Sequence, residues 1–130
     1  MALIGTTNEE RIWNFLKAQG MNDCGVAGLM GNLYAESGLI PNNLQNSYEK
    51  TLGYTDVGYT EAVDGGAYDN FAGDSAGYGL AQWTYHTRKA ALLAYAKKTG
   101  KSIGDLEMQL GFLMQELSTG FKAVLHILQS

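Results

Sequence analysis

Two acidic residues, Glu36 and Asp74, stand in the sequence where they could act together on a glycosidic bond. Glu36 falls near the end of a predicted apolar helix, and Asp74 precedes the glycine-rich stretch GYGLAQ at residues 77–82. A protonated carboxylic acid can donate its proton to a leaving oxygen while a second, ionised carboxylate activates water or stabilises a cationic sugar. The two residues therefore predict general acid catalysis on a carbohydrate.

Residues 23–41 contain the predicted helix that positions Glu36, which stops before Pro41. Its apolar side chains recur at the spacing of one helical face, which comprises Val26, Leu29, Met30, Leu33 and Tyr34. Asn22 or Asp23 can cap its start, and Ser37 with Gly38 can end it. Carbonyl groups at a helix C-terminus and nearby apolar surface both favour the protonated carboxyl group that a general acid needs. The alternative for Glu36 is an ordinary solvated surface glutamate.

Aromatic and amide side chains near the second acidic residue are candidate contacts for sugar rings. The glycines around residue 78 would allow the backbone to approach a ligand closely. For Trp83, sugar contact and core packing against the following helix remain equally open. The predicted substrate-binding residues are Tyr54, Tyr68, Tyr78, Gln82 and Trp83.

Composition favours a single globular domain, residues 1–130, with 45% apolar and 17% charged residues. The net charge of −4 argues against nucleic acid, and we expect no membrane span and no signal peptide. One cysteine and two histidines offer no metal-ligand spacing, and we expect no cofactor. A Cys/His peptidase using Cys24 is disfavoured, because Cys24 is predicted to be a buried thiol near the apolar face of a helix.

The pattern predicts a mainly α fold of about five to six helices. Residues 42–76 lack helical periodicity and are predicted to form a long Tyr/Gly-rich loop, with a weak hairpin at residues 52–63, beside the cleft. Asn8 is a candidate helix N-cap, and Ser102 with Asp105 resembles a capping box. In the helix predicted after Thr84, one face carries Ala90, Leu93, Ala94 and Lys97, with Leu92 and Tyr95 beside it.

Two segments resemble the lysozyme domains of bacteriophage tail proteins and some phage endolysins: NLYAESGLIPNN at residues 32–43 and GYGLAQWTYHTRKAALLAYAKK at residues 77–98. These domains belong to the lysozyme-like superfamily, with goose-type lysozymes and lytic transglycosylases. The resemblance implies that Glu36 is the catalytic acid and that Asp74 matches the goose-type aspartate. A further goose-type acid would fall near Thr84, which is not acidic. A wide Glu36–Asp74 separation and inversion of the anomeric centre are expected.

The activity implied by this resemblance is hydrolysis of the β-1,4 glycan of peptidoglycan, as an N-acetylmuramidase. The expected setting is a phage tail or the host cytoplasm before lysis, with other domains of an endolysin or tail protein as partners. One alternative is a lytic transglycosylase in which Glu36 serves as acid and then as base. The alternative from another class is a non-catalytic module that binds the cell wall.

Overall fold

The computed structural model describes residues 3–130, and within this range the chain forms seven helices and no strand. The mainly α fold is therefore confirmed, with slightly more helices than predicted. The helices are α1 (Asn8–Ala18), α2 (Asp23–Ser37), α3 (Asn46–Leu52), α4 (Asp56–Asp64), α5 (His86–Thr99), α6 (Leu106–Thr119) and α7 (Lys122–Gln129).

Helix α2 begins and ends where the sequence predicts. The Asn22 side chain accepts a hydrogen bond from the Gly25 amide at 2.6 Å, and Gly38 ends the helix in the left-handed conformation with φ +65°. Gly38 also donates its amide to the Tyr34 carbonyl at 2.8 Å. The buried face is narrower than predicted, because Leu33 is buried whereas Tyr34 is 68% exposed.

Residues 42–76 contain two short helices, α3 and α4, where the sequence predicted a loop with a hairpin. Thr55 caps α4 by accepting a hydrogen bond from the Gly58 amide at 3.0 Å, and the α4 residues Tyr59 and Val63 are buried. Helices of seven and nine residues are too short to show a clear period of apolar residues. Tertiary packing supplies most of the stability of such short helices.

Two predicted helix starts are displaced in the structure. Thr7, not Asn8, caps α1 by accepting a hydrogen bond from the Glu10 amide at 3.1 Å. Asp105 is itself the N-cap of α6 and accepts a hydrogen bond from the Met108 amide at 2.9 Å, so no capping box forms from Ser102. In each case an alternative capping side chain lies within three residues of the predicted one.

The buried face of α5 and the environment of Cys24 also differ from prediction. The buried α5 residues are Lys89, Leu92 and Ala96, so the buried face is rotated from the predicted one. Cys24 is exposed in the first turn of α2 instead of buried. No helix within residues 3–130 is long and apolar enough to cross a bilayer.

The helices pack so that α2 has neighbours on two sides. Helix α2 packs against α1 and α7, and α6 packs against α1, α5 and α7. Glu36 therefore extends from a helix that is fixed by neighbours on two sides.

Candidate active site

Glu36 lies in the last turn of α2 and is exposed to solvent. None of the three ion pairs within residues 3–130 includes it. The apolar cover that the sequence predicted for this carboxylate is not present. Glu36 is instead a carboxylate that an incoming ligand can reach directly.

The end of α2 is tied to the glycine-rich stretch by two consecutive hydrogen bonds through Asn43. The Asn43 side chain donates to the Ser37 carbonyl at 2.9 Å, and the Gln82 side chain donates to the Asn43 carbonyl at 2.7 Å. Gly79 also donates its amide to the Asn43 carbonyl, at 3.0 Å. The residue following Glu36 is therefore coupled to the turn that the sequence singled out.

Residues 77–84 form a tight antiparallel turn, in which Tyr78 and Trp83 exchange two backbone hydrogen bonds of 3.1 and 2.9 Å. Gln45 joins this turn from the other side. Its backbone amide donates to the Gly77 carbonyl at 2.7 Å, and its side chain accepts from the Gly77 amide at 2.9 Å. Tyr78 is thus bridged on both sides, by Leu44 and by Trp83.

Three side-chain oxygens surround the α-carbon of Gly77. A β-carbon added at Gly77 would lie 2.9 Å from Gln82 Oε1 and 3.2 Å from both Gln45 Oε1 and Thr84 Oγ1. Only glycine leaves room for this arrangement without displacing one of the oxygens. We call these four residues, Gln45, Gly77, Gln82 and Thr84, the polar turn cluster.

Three non-glycine residues within residues 3–130 adopt left-handed backbone conformations, and all lie close to predicted site residues. Leu39 (φ +64°) follows Glu36 by three positions, Ser75 (φ +61°) follows Asp74, and Gln82 (φ +50°) is itself a predicted site residue. Each such conformation costs roughly 1–2 kcal/mol for a residue with a β-carbon. Strain of this kind concentrates at functional sites, where the surrounding structure holds it.

Tyr78 and Trp83, two of the predicted substrate contacts, are completely buried. The Tyr78 hydroxyl forms a 2.5 Å hydrogen bond with that of Thr60, and the Trp83 indole donates to Glu116 at 2.8 Å. Neither ring presents surface to a sugar. The structure therefore favours core packing for Trp83, and both buried rings anchor the turn in the core.

Replacing Trp83 with phenylalanine is expected to lower the free energy of unfolding by about 1–3 kcal/mol, because a buried Glu116 contact and indole packing are lost. Urea denaturation measures this change. Tyr85→Phe, a change at an exposed neighbouring aromatic residue, is the control. An unchanged denaturation midpoint together with a raised KM would instead assign Trp83 to sugar binding.

Tyr54 and Tyr68, the other predicted aromatic contacts, are half-buried. Their ring centroids lie 5.6 Å apart in an edge arrangement, and both rings pack against Tyr59. The Tyr68 hydroxyl donates to Asp74 at 2.7 Å. These tyrosines therefore belong to an aromatic cluster around Asp74, with part of each ring accessible to solvent.

Asp74 is held by four hydrogen bonds in the interior of the protein. Its Oδ1 accepts from the Lys89 ammonium at 2.6 Å and from the Ala76 amide at 3.0 Å. Its Oδ2 accepts from the hydroxyls of Tyr59 at 2.5 Å and Tyr68 at 2.7 Å. A carboxylate has about four lone-pair sites, so the acceptor capacity of Asp74 is filled.

The electrostatics agree with an Asp74 that is ionised at neutral pH. Burial alone would raise the pKa of Asp74, but hydrogen bonds from Lys89, Tyr59, the Ala76 amide and Tyr68 outweigh it and hold this pKa below its ordinary value. Burial also raises the pKa of Tyr59, and the adjacent carboxylate adds to this effect. The geometry favours a structural role for Asp74, and its role as the second catalytic carboxylate stays a prediction.

Two buried polar residues that position the turn were not predicted from the sequence. The Lys89 ammonium is fully buried, where it contacts Asp74 and also donates to the Ala76 carbonyl at 2.7 Å. Gln109 accepts from the Leu80 amide at 2.9 Å and donates to the Pro41 carbonyl at 2.5 Å. The signal available in the sequence was helical spacing, which places a polar residue on the same face as buried apolar residues. Lys89, for example, lies three positions before Leu92.

Within residues 3–130, no group of three or more His, Cys, Asp or Glu side chains could hold a metal ion. The donors gathered at the turn are amides and hydroxyls. The site as described therefore offers acid–base and hydrogen-bonding chemistry from protein groups.

Comparison with known proteins yields one match. A family model described as phage tail lysozyme matches residues 7–130, which include every predicted site residue. No curated protein sequence and no solved structure matches the chain.

Proposed function

The chain belongs to the phage tail lysozyme family, and on that premise we propose that it hydrolyses the β-1,4 glycan backbone of bacterial peptidoglycan as an N-acetylmuramidase. It acts at the bacterial cell wall as part of a phage tail protein or an endolysin. The observation that carries this proposal is an exposed Glu36 that takes part in no ion pair within residues 3–130, at a helix end that Asn43 links to the polar turn cluster.

Glu36 is proposed as the general acid that protonates the leaving glycosidic oxygen. Because Glu36 is exposed in the free protein, the bound glycan must supply the cover that the sequence led us to expect from the fold. A sugar chain lying over the carboxyl group would exclude water and favour its protonated form. The side chains of the polar turn cluster would then hydrogen-bond to the sugar beside the scissile bond.

The role of the second predicted carboxylate, Asp74, differs from the one that the sequence led us to expect. We expected Asp74 to hold the attacking water, yet its four hydrogen bonds leave no acceptor site for one. In the proposed hydrolysis, Asp74 with its partners fixes residues 74–77, and through them the polar turn cluster. The oxygens of that cluster would hold the attacking water, which bonds to the anomeric carbon as the bond to the leaving oxygen breaks and then releases a proton to solvent.

The filled acceptor sites of Asp74 also favour one alternative, a lytic transglycosylase. In that reaction Glu36 first protonates the leaving oxygen and then, as a base, accepts a proton from the C6 hydroxyl of the muramyl sugar. That hydroxyl oxygen attacks the anomeric carbon, which gives a 1,6-anhydro end. No water and no second free carboxylate are needed.

Analysis of the product ends separates these reactions. Digestion of purified peptidoglycan should give muramic acid reducing ends if the chain is a muramidase, and anhydro-muramyl ends if it is a transglycosylase. New glucosamine reducing ends would contradict the muramidase assignment. NMR of the first-formed anomer then tests the expected inversion, which a β product from a β linkage would refute. A non-catalytic wall-binding module would give no new ends and no loss of turbidity.

Replacing Gly77 with alanine is expected to reduce activity by about tenfold to a hundredfold, since small displacements of substrate-positioning groups have effects of that size. The added β-carbon would lie 2.9 Å from Gln82 Oε1, and the Gln82 amide nitrogen is already bound to the carbonyls of Asn43 and Gly79. Gln82 therefore cannot move aside without losing these bonds. Rates of wall cleavage measure the effect.

Gly28→Ala is the matched control, because a β-carbon there meets nothing within 4 Å. If Gly77→Ala cleaves peptidoglycan at the rate of the control, the polar turn cluster takes no part in substrate binding.

A further inference from the structure

A groove runs between α1 and α2 and reaches Gly38 and Leu39, just beyond the end of α2. It consists of two adjoining cavities of about 500 and 470 Å³, which share Glu9 and Met30 in their lining. Tyr34 lines its far end, and it projects from α2 about 200° around the helix axis from Glu36. We call this feature the α1–α2 groove.

The groove combines aromatic rings with hydrogen-bonding groups. Trp13 lines one end, and the Tyr34 ring, which is 68% exposed, lines the other. Between them, Glu9 is exposed and takes part in none of the three ion pairs within residues 3–130. The amide side chains of Asn8 and Asn14 complete its polar lining.

The charge of the groove restricts what it can bind. Glu9 and Glu10 both line it, and no lining residue is basic. Hydrogen bonds from Thr6 and Thr7 lower the pKa of Glu10, which keeps it ionised at neutral pH. Phosphate-rich polymers would therefore be repelled. Neutral ligands whose hydroxyl groups donate to carboxylates and whose apolar faces stack on aromatic rings would be accepted.

We propose that the α1–α2 groove is a second glycan-binding site, which holds a strand of N-acetylated sugars apart from the catalytic centre. This inference rests on the proposed function, because it takes the ligand to be another part of the same polymer. Pyranose rings stack on Tyr34 and Trp13, and their hydroxyls donate to Glu9. A second contact with an insoluble polymer raises the effective concentration of glycan at Glu36.

The first test is an NMR titration of isotope-labelled Glu36→Gln protein with chitohexaose. The expected result is a set of shift changes at Glu9, Trp13, Met30 and Tyr34, besides those at the polar turn cluster. Shift changes confined to the cluster would overturn the proposal. So would shifts in the groove that free stem peptide produces and chitohexaose does not.

The second test uses the double variant Glu9→Gln/Tyr34→Ala with intact Glu36. We expect about fivefold to tenfold weaker binding to purified sacculi and a matching loss of activity on them, as for the removal of a stacking ring and a hydrogen-bond acceptor. Activity on a short soluble muropeptide oligomer should stay within about twofold of wild type, because one short chain cannot occupy both sites. Val57→Ala/Glu61→Gln, which removes an exposed apolar and an acidic side chain from α4, is the matched control.

The outcomes separate failure of this inference from failure of the proposed function. Unchanged binding and cleavage of sacculi by the double variant would overturn the second site while leaving the enzyme assignment intact. An equal loss on soluble and insoluble substrates would place the groove within the catalytic cleft, and so would also overturn it. Absence of cleavage by the wild type, with shifts still seen in the groove, would overturn only the enzyme assignment.

Discussion

Glu36→Gln is expected to reduce the rate of peptidoglycan cleavage by about 10² to 10⁴-fold, the usual contribution of general acid catalysis. Glutamine keeps the shape and hydrogen-bonding reach of the side chain but has no acidic proton to donate. If the chain is instead a transglycosylase, the loss is at least as large, because Glu36 then serves in both halves of the reaction. The single substitution thus tests both mechanisms.

The same variant should fold as well as the wild type. Glu36 is exposed and forms no ion pair within residues 3–130, so its neutralisation should change the free energy of unfolding by less than about 0.5 kcal/mol. Loss of a negative charge at a helix C-terminus is, if anything, stabilising. Activity loss without instability therefore identifies a chemical role.

Release of reducing or anhydro ends from purified sacculi measures the rate, and urea denaturation measures stability. Glu61→Gln on α4 is the control, as it neutralises another exposed helical glutamate. Activity of Glu36→Gln within about tenfold of wild type would remove Glu36 from the role of general acid.

Local signals were sufficient to predict the element that carries Glu36. The cap at Asn22 and the left-handed Gly38 act on their immediate neighbours, so the bounds of α2 follow from a few adjacent residues. The adjacency of this helix end to residues 77–84 was inferred from resemblance. In the structure it depends on the Asn43 bridge, whose partners are six and 39 residues away along the chain.

Helices α3 and α4 could not be predicted in the same way. Their faces are completed by distant residues: the buried Tyr59 of α4 packs against Phe71 and Tyr78 at ring-centroid distances of 6.0 and 5.5 Å. A short segment with few apolar residues gives no reliable period, and tertiary contacts decide its conformation.

The environment of each carboxylate was the part of the site that sequence reasoning got wrong. We expected apolar surface around Glu36 and a second catalytic carboxylate at Asp74, whereas Glu36 is exposed and the Asp74 side chain is only 2% exposed. Solvent exposure depends on which elements fold over a residue. Lys89, the partner of Asp74, lies 15 residues away on another element, and no local pattern connects the two.

Lys89→Met is expected to lower the free energy of unfolding by about 3–5 kcal/mol at pH 7, the usual effect of removing one partner from a buried ion pair. The substitution keeps the length and apolar stem of the side chain but removes the ammonium group beside Asp74. The carboxylate would remain buried with three weaker donors, from Tyr59, Tyr68 and Ala76. Small domains are stable by only about 5–15 kcal/mol, so this variant should unfold at much lower urea concentration. Lys98→Met, at an exposed lysine of the same helix, is the control.

The stability loss in Lys89→Met should depend on pH, and the pKa of Asp74 determines the direction of this dependence. In the wild type, the pKa of Asp74 in the folded protein lies below its ordinary value, so the unfolded chain binds a proton more readily. The stability that this ionised carboxylate contributes is therefore complete above its ordinary pKa and is lost as pH falls through the lower, folded value. In Lys89→Met, loss of the cation raises the pKa of Asp74 above its wild-type value, so acid removes less stability through this residue. The difference between the two proteins should be largest near pH 7 and shrink as pH falls below about 4.

Asp74→Asn and the double variant Asp74→Asn/Lys89→Met complete the test. Asp74→Asn leaves the Lys89 ammonium buried without its counter-charge, so we expect a loss similar to that of Lys89→Met, about 3–5 kcal/mol. The double variant removes both charges and should lose less than the sum of the single changes, by about 1–3 kcal/mol.

Cleavage is then measured per folded molecule, at a temperature where all the variants are folded. If Asp74 acts by fixing residues 74–77, Asp74→Asn and Lys89→Met should lower the specific activity to a similar, modest extent. A specific loss of a hundredfold or more in Asp74→Asn alone would restore Asp74 as the second catalytic carboxylate and contradict the structural role.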